Sequence, residues 1–299
     1  MQPKLFKHMR HLHCLLLILV SQPHWGQNRE ILFFQTNWGN SQSWDAFCQQ
    51  ARASGFDGID VWLPGDTAGQ DALRAALKSH GLKLNLMHGT NNSLPFEESL
   101  ALYKSRLYEL CAWKPVLINS QTGSDFLSAE QNAAFIRTAN AISEETGVPV
   151  YHETHRSRFS YSLPATLEYL EAIPELRLTA DISHWMVVHE SLLEGREALL
   201  APVIARTNHI HARVGHPEGP QVNDPKAPEW ERAVERHLDL WEQIIRACWA
   251  ENDRPMTVTS EFGPPHYMPA LPYTQTPVSD QWQANVYMMN AIKQRLGIE

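Results

Sequence analysis

The chain is expected to fold as a single α/β domain, a (β/α)8 TIM barrel. Three observations lead there. From residue 31 onward, eight short apolar runs rich in β-branched residues alternate with longer amphipathic stretches, the pattern of parallel strands joined by right-handed helical crossovers. Eight such units close a barrel, and a chain of 299 residues holds the about 250 that a barrel takes. A doubly wound sheet is the alternative, but no Gly-x-Gly-x-x-Gly follows the first strand, where Asn37-Trp38-Gly39-Asn40 stands instead.

The strand segments are Ile31 to Trp38, Phe56 to Leu63, Leu82 to His88, Val116 to Gln121, Val148 to His155, Leu176 to His184, His209 to Val214 and Met256 to Phe262. Between them, apolar residues at three- and four-residue spacing mark helices over Trp44 to Ser54, Ala72 to His80, Phe96 to Trp113 and Ala129 to Thr146. Ser128 and Gln131 have capping-box spacing at the start of the last of these. Gly55, Gly81 and Gly147 follow helical runs at the position where a residue without Cβ closes a helix in the left-handed conformation. The fifth crossover is a shorter helix, Leu163 to Ile173, and the eighth helix spans Gln281 to Arg295. Two connections are longer than a barrel needs, Gly215 to Glu229 and the proline-rich Pro264 to Ser279 with Tyr267 and Tyr273. Both follow strands at the face where barrel active sites form, so they are expected to be lids or substrate walls.

Residues 1–26 stand apart from this pattern. Lys4, Lys7 and Arg10 precede an apolar run from Cys14 to Val20, then Ser21-Gln22-Pro23, as in a secretory leader, with a disordered extension as the alternative. A leader implies an exported mature chain; without one the protein stays cytoplasmic. The run is far shorter than the ~20 residues that span a bilayer, and no transmembrane helix is expected. Cys48, Cys111 and Cys248 lie in helix-like surroundings with no Cys-x-x-Cys spacing, which predicts neither disulfides nor a structural zinc. The formal charge of −8 argues against a nucleic-acid groove and for a small-molecule ligand. A homo-oligomer is compatible with the barrel.

The chemistry concentrates at the carboxyl ends of the last four strands, in Tyr151-His152-Glu153-Thr154-His155-Arg156, Thr179-Ala180-Asp181-Ile182-Ser183-His184, His209-Ile210-His211-Ala212-Arg213 and Ser260-Glu261-Phe262-Gly263. Strand alternation puts Glu153 with His155, Asp181 with Thr179 and Ser183, and His211 with His209 and Arg213. In a closed barrel Glu153, Asp181, His211 and Glu261 ring one point at the mouth. Three carboxylates and one imidazole suit one divalent ion with open positions, Mn²⁺, Mg²⁺ or Co²⁺ ahead of Zn²⁺. His152-Glu153-Thr154-His155 is not a zinc-protease motif, since it lacks one residue of the His-Glu-x-x-His spacing and lies on a strand.

Around that point, His155, His184 and Arg213 are candidates to contact substrate, and each has a bland alternative, bracing a ligand or pairing with a carboxylate. His88 closes the third strand as a further candidate or a satisfied core histidine. Trp38 and Trp62, at the ends of the first two strands, offer an apolar wall to a sugar face or ordinary packing.

At these four strands the sequence resembles the xylose isomerase-like TIM-barrel superfamily, the sugar (phosphate) isomerases and epimerases that also include endonuclease IV. Glu153 in His-Glu-Thr-His, Asp181 and His184 in Asp-Ile-Ser-His, His211 in His-Ile-His and Glu261 in Ser-Glu-Phe-Gly carry the resemblance, which covers about residues 30 to 297. It implies one metal on Glu153, Asp181, His211 and Glu261, with Glu153 and Glu261 as acid/base pair exchanging a proton at a carbon next to a carbonyl through a metal-stabilised enediolate, and His184 and Arg213 on substrate oxygens. Ala212-Arg213-Val214 replaces the Lys-Asp pair that follows the metal histidine in many relatives.

The resemblance implies a sugar isomerase or epimerase. A sugar lyase or dehydratase, or a deglycosidase of oxidised sugars, starts from the same proton abstraction and stays open beside it. A non-catalytic sugar-binding barrel would not need all four ligands. An endonuclease IV-like phosphodiesterase would need further histidines, which neither Asp60-Val61-Trp62-Leu63-Pro64 nor Asn223-Asp224-Pro225-Lys226 supplies.

Overall fold

In the computed structural model, which describes residues 30–251 and 254–298, eight parallel strands close into a barrel in sequence order, with the first paired to the last. They are β1 (Ile31–Thr36), β2 (Gly58–Trp62), β3 (Lys83–Gly89), β4 (Ile118–Gln121), β5 (Val150–Glu153), β6 (Leu178–Ala180), β7 (Thr207–Ala212) and β8 (Met256–Ser260). Around them run α1 (Trp44–Ala53), α2 (Thr67–His80), α3 (Phe96–Cys111), α4 (Ala129–Thr146), α5 (Leu163–Ala172), α6 (Ile182–Val188), α7 (Glu197–Ala205), α8 (Glu231–Glu251) and α9 (Gln281–Leu296). No helix among the described residues is long and apolar enough to cross a membrane. The leader expected over residues 1–26 lies outside the described residues.

Local chemistry explains where the helices begin and end. Ser128 and Gln131 form the reciprocal capping box of α4, and Gly81 (φ 63°) and Gly147 (φ 72°) close α2 and α4 in the left-handed region. Helix α2 begins at Thr67 rather than Ala72, because the Asp66 carboxylate accepts from the Gly69 N–H and starts the helix a turn and a half early.

Two layers of side chains hold the barrel. Outward strand residues such as Ile59, Val61, Leu86, Ile118, Val150, Ile210 and Val258 pack beneath the helices with Phe47, Leu73, Leu107, Phe135, Trp241 and Met288. The inward faces are polar near the mouth. Thr259 Oγ1 on β8 donates to Asp60 Oδ2 on β2 at 2.8 Å, across the barrel from strands that are not neighbours. His209 and Thr257 join the same network, with His209 Nδ1 2.8 Å from Thr257 Oγ1 and Nε2 3.2 Å from Thr259 Oγ1. A barrel interior built from polar groups rather than packed Val and Leu sacrifices apolar burial beneath the mouth, as functional sites often do.

The sixth strand is shorter than its sequence suggests. It ends at Ala180, and Asp181 becomes the N-cap of α6, accepting from Ser183 N–H at 3.1 Å. Ser183 and His184 therefore sit in the first turn of a helix, not on the strand.

Candidate active site

Glu153 ends β5, Asp181 and Glu261 each directly follow a strand, and His211 lies one residue before the end of β7. One ligand atom from each lies within 4.8 Å of all the others, and all four residues are buried. His211 Nδ1 is 3.0 Å from Glu261 Oε2 and 3.7 Å from Glu153 Oε1.

Each member is held by a separate device. Asn119 Nδ2, on β4, donates to Glu153 Oε2 at 2.7 Å and leaves Oε1 turned toward His211. Asp181 accepts from the Ser183 hydroxyl at 2.5 Å through Oδ1, while Oδ2 pairs with the Arg213 guanidinium. Thr154 Oγ1 donates to the Asp181 carbonyl at 3.0 Å and accepts from its N–H at 2.9 Å, tying the ends of β5 and β6 together. The loop after β7 reaches across to β8 through Gln221, whose amide accepts from Gly263 N–H at 2.8 Å and donates to Gly263 O at 3.2 Å.

Electrostatics follow from this crowding. Burial raises the Asp181 carboxyl to about 7, helped by Glu261 and Glu153 and opposed by Arg213. Burial also works against the Glu153 carboxylate, but His211 and the Asn119 amide outweigh it and hold Glu153 below its ordinary value. For His211, burial favours the neutral ring, yet Glu261 and Glu153 push its pKa well above the usual imidazole range. Burial lowers His155, His184 and His209. Four buried acidic side chains (Asp60, Glu153, Asp181, Glu261) thus surround His211 and Arg213, a surplus of acidic groups that suits a divalent cation.

The residues fit such an ion on a second count. Glu153 Oε1, Glu261 Oε2 and His211 Nδ1 are buried without hydrogen-bond partners, and these are the atoms that face one another. Unpaired buried polar atoms are costly, and a cation among them would satisfy all three. The donor set of three carboxylates and one imidazole suits Mn²⁺, Mg²⁺ or Co²⁺.

Above the cluster lies a cavity of about 450 Å³ lined by Trp38, Trp62, Met87, Gln121, Glu153, His155, Arg213, Glu261 and Tyr267, with Thr36, Asn37 and Gly39 at one side. Trp38 and Tyr267 meet edge to face at 4.7 Å. Gly263 permits that wall: a Cβ there would stand 2.4 Å from the Trp38 ring. Trp62 forms the rim, half exposed at 50%.

Of the remaining residues singled out from the sequence, His155 and Arg213 reach this cavity and His184 and His88 do not line it. His184 is buried beneath, with its ring 3.8 Å from that of His155 and its Nε2 accepting from Arg213 at 2.9 Å. Arg213 also stands 3.5 Å from Glu261 Oε2, so its charge is already countered by two carboxylates. His88 faces outward, stacked on Tyr103 at 4.6 Å with Nε2 3.2 Å from the Tyr103 carbonyl. Burial drops its pKa to about 4. Alternation on β3 puts Met87 inside instead.

Sequence reasoning passed over Asp60, Asn119 and Gln121, and reached Tyr267 only as part of a loop expected to wall the substrate. Asp60 had a signal, since alternation puts it on the face of Trp62 in Gly-Ile-Asp-Val-Trp. The contact of Tyr267 with the cavity depends on how a long loop folds back, which no periodicity encodes.

No family model matches the chain, and no curated protein matches it. Solved structures do. A 3-keto-D-glucoside 4-epimerase from E. coli superposes with a TM-score of 0.61 at 15% identity, over 89% of this chain and all (100%) of that one. A xylose isomerase-like TIM-barrel protein from Mycobacterium smegmatis, in complex with magnesium, gives 0.56 at 12% identity, over 89% of this chain and 96% of that one. Endonuclease IV from Thermus thermophilus gives 0.53 at 13% identity, over 90% of this chain and 99% of that one. The fold is the one these structures share, a (β/α)8 TIM barrel. Identities this low establish the fold alone, and on a TIM barrel chemistry has to be argued from the site.

Proposed function

We propose that this xylose isomerase-like barrel is a divalent-metal-dependent enzyme acting on a small sugar or sugar derivative, an isomerase or epimerase that moves a proton at a carbon next to a carbonyl. The observation that carries the proposal is the convergence of Glu153, Asp181, His211 and Glu261 within 4.8 Å under a cavity walled by Trp38, Trp62 and Tyr267. Aromatic faces suit the apolar face of a sugar ring, and the polar floor suits its oxygens. The E. coli protein of the same fold is an epimerase of a keto-glucoside, in keeping with this chemistry.

A divalent ion bound by the four residues would stabilise negative charge on the substrate oxygen beside the carbon that loses its proton. The chain supplies the rest. Glu153, fixed by Asn119 and held ionised, is the base that takes the proton. Glu261 reaches the same cavity from β8 and is the partner that returns a proton. Tyr267 lines the cavity beside Trp38 and helps keep water from the reacting carbon.

Elemental analysis and solvent-deuterium exchange test this together. About one Mn²⁺, Mg²⁺, Co²⁺ or Zn²⁺ per chain is expected, lowered in Glu261→Gln, with deuterium entering a carbon next to the carbonyl of at least one ketose, aldose or keto-glycoside. Protein that takes up no ion after incubation with each, or that binds metal but exchanges no deuterium across such a panel, would remove the assignment.

A further inference from the structure

The sugar assignment leaves two cations beside the cavity, each touching a residue of its wall, without a role. Arg156 and Arg158 lie just beyond Glu153 in the connection from β5 to α5, in a turn closed by Arg158 N–H donating to the His155 carbonyl at 3.2 Å. Ser157 between them stands in the left-handed region, at φ 64°, an unfavourable place for a residue with a Cβ. It is exposed while both arginines are partly buried.

Each guanidinium touches a residue that lines the cavity. Arg156 Nη2 donates to the Tyr267 hydroxyl at 3.1 Å, with its carbon 5.2 Å from the centre of the Tyr267 ring. Arg158 Nη2 donates to Gln121 Oε1 at 3.2 Å. Among the described residues neither arginine has a carboxylate within ion-pair distance, in contrast to Arg213 between Asp181 and Glu261. The carboxylates of Glu153 and Asp125 act on Arg158 only from further away. A guanidinium offers five N–H donors, and Arg158 Nε is buried with no partner at all. A buried donor left unpaired calls for an acceptor. Arginine forks match planar and tetrahedral oxyanions, and a site shielded from water strengthens the match.

We propose that Arg156 and Arg158 are an oxyanion-binding subsite, so that the substrate of the sugar chemistry assigned above carries a carboxylate or a phosphate at the end away from the reacting carbon. The proposal rests on that assignment, and it gives the β5–α5 turn its purpose, holding two uncompensated cations beside an otherwise acidic cluster.

Isothermal titration of the full-length, Mn²⁺-loaded protein with glucose, glucuronate and glucose 6-phosphate tests it, on the wild type and on R156Q/R158Q. At least one anionic sugar is expected to bind about 10-fold more tightly than glucose, the worth of a charge-assisted fork, and the ratio to fall near one in the double variant. The glucuronate and phosphate arms separate the two oxyanions. Single variants R156Q and R158Q each report part of the loss if the double variant fails to fold. Equal affinity for neutral and anionic sugars in the wild type, or a preference that survives substitution, overturns the subsite and leaves the sugar assignment standing. Binding of none of the three overturns both.

Discussion

Asp60 Oδ2 lies 3.5 Å from His211 Nε2, on the side of the ring away from Glu261, whose Oε2 is 3.0 Å from Nδ1. One imidazole therefore bridges a buried carboxylate in the barrel and the cluster at its mouth. A proton kept on Nε2 by Asp60 frees the Nδ1 lone pair for a cation, the carboxylate–histidine pairing that orients ligands in many metal sites. Asp60 is held ionised although burial opposes it, because His209 and His211 outweigh that cost.

Replacing Asp60 by Asn keeps the volume and removes the charge. Metal affinity is expected to fall about 10- to 100-fold, read by competition with a chelating dye, while far-UV circular dichroism is unchanged. Unaltered affinity in D60N would deny Asp60 any part in presenting His211.

Metal binding should be coupled to protons. Asp181 is raised to about 7 and His211 lies well above the usual imidazole range, and each must be deprotonated to act as a ligand. At pH 7 binding is then expected to release about one to two protons, seen as a buffer-dependent heat in calorimetry, and affinity is expected to drop as pH falls below 7. The metal-free protein shows the opposite trend from Asp181. A carboxyl raised above its unfolded value binds an extra proton in the folded state between about pH 4 and 7, so this contribution to stability is lost as pH rises through that window. A heat independent of buffer at pH 7 would contradict both shifts.

Gly263 sets the aromatic wall. A Cβ at this position would meet the Trp38 ring at 2.4 Å, and backbone held by Gln221 through both its N–H and its carbonyl has little room to yield. Gly263→Ala is expected to cost about 1–3 kcal/mol of stability by overpacking and to weaken sugar binding as Trp38 is displaced. Thermal melts and titration measure the two effects, and an alanine accepted without loss in either would show that the wall adapts.

What the sequence determined by itself is whatever short-range patterning encodes. Alternating apolar runs specified eight β/α units, a serine and a glutamine three apart specified the start of α4, and Gly81 and Gly147 specified where helices stop, because each depends on neighbours within a turn or a strand. Alternation also placed Glu153, Asp181, His211 and Glu261 at strand ends facing one mouth. Closure of the barrel decided the rest. Asp60 meets His211 only because closure of the barrel brings β2 and β7, which are not neighbours, within reach across the interior, and Arg213, which lines the cavity, is paired there because Asp181, 32 positions earlier in the chain, stands against it. His88 sits on the outer face because β3 puts Met87 inward, a choice of register that a run buried on both faces does not reveal. Tyr267 reached the cavity through a loop with no period to read. Contacts between residues far apart in sequence form only when the strands close on one another, so their partners and charges belong to the tertiary structure.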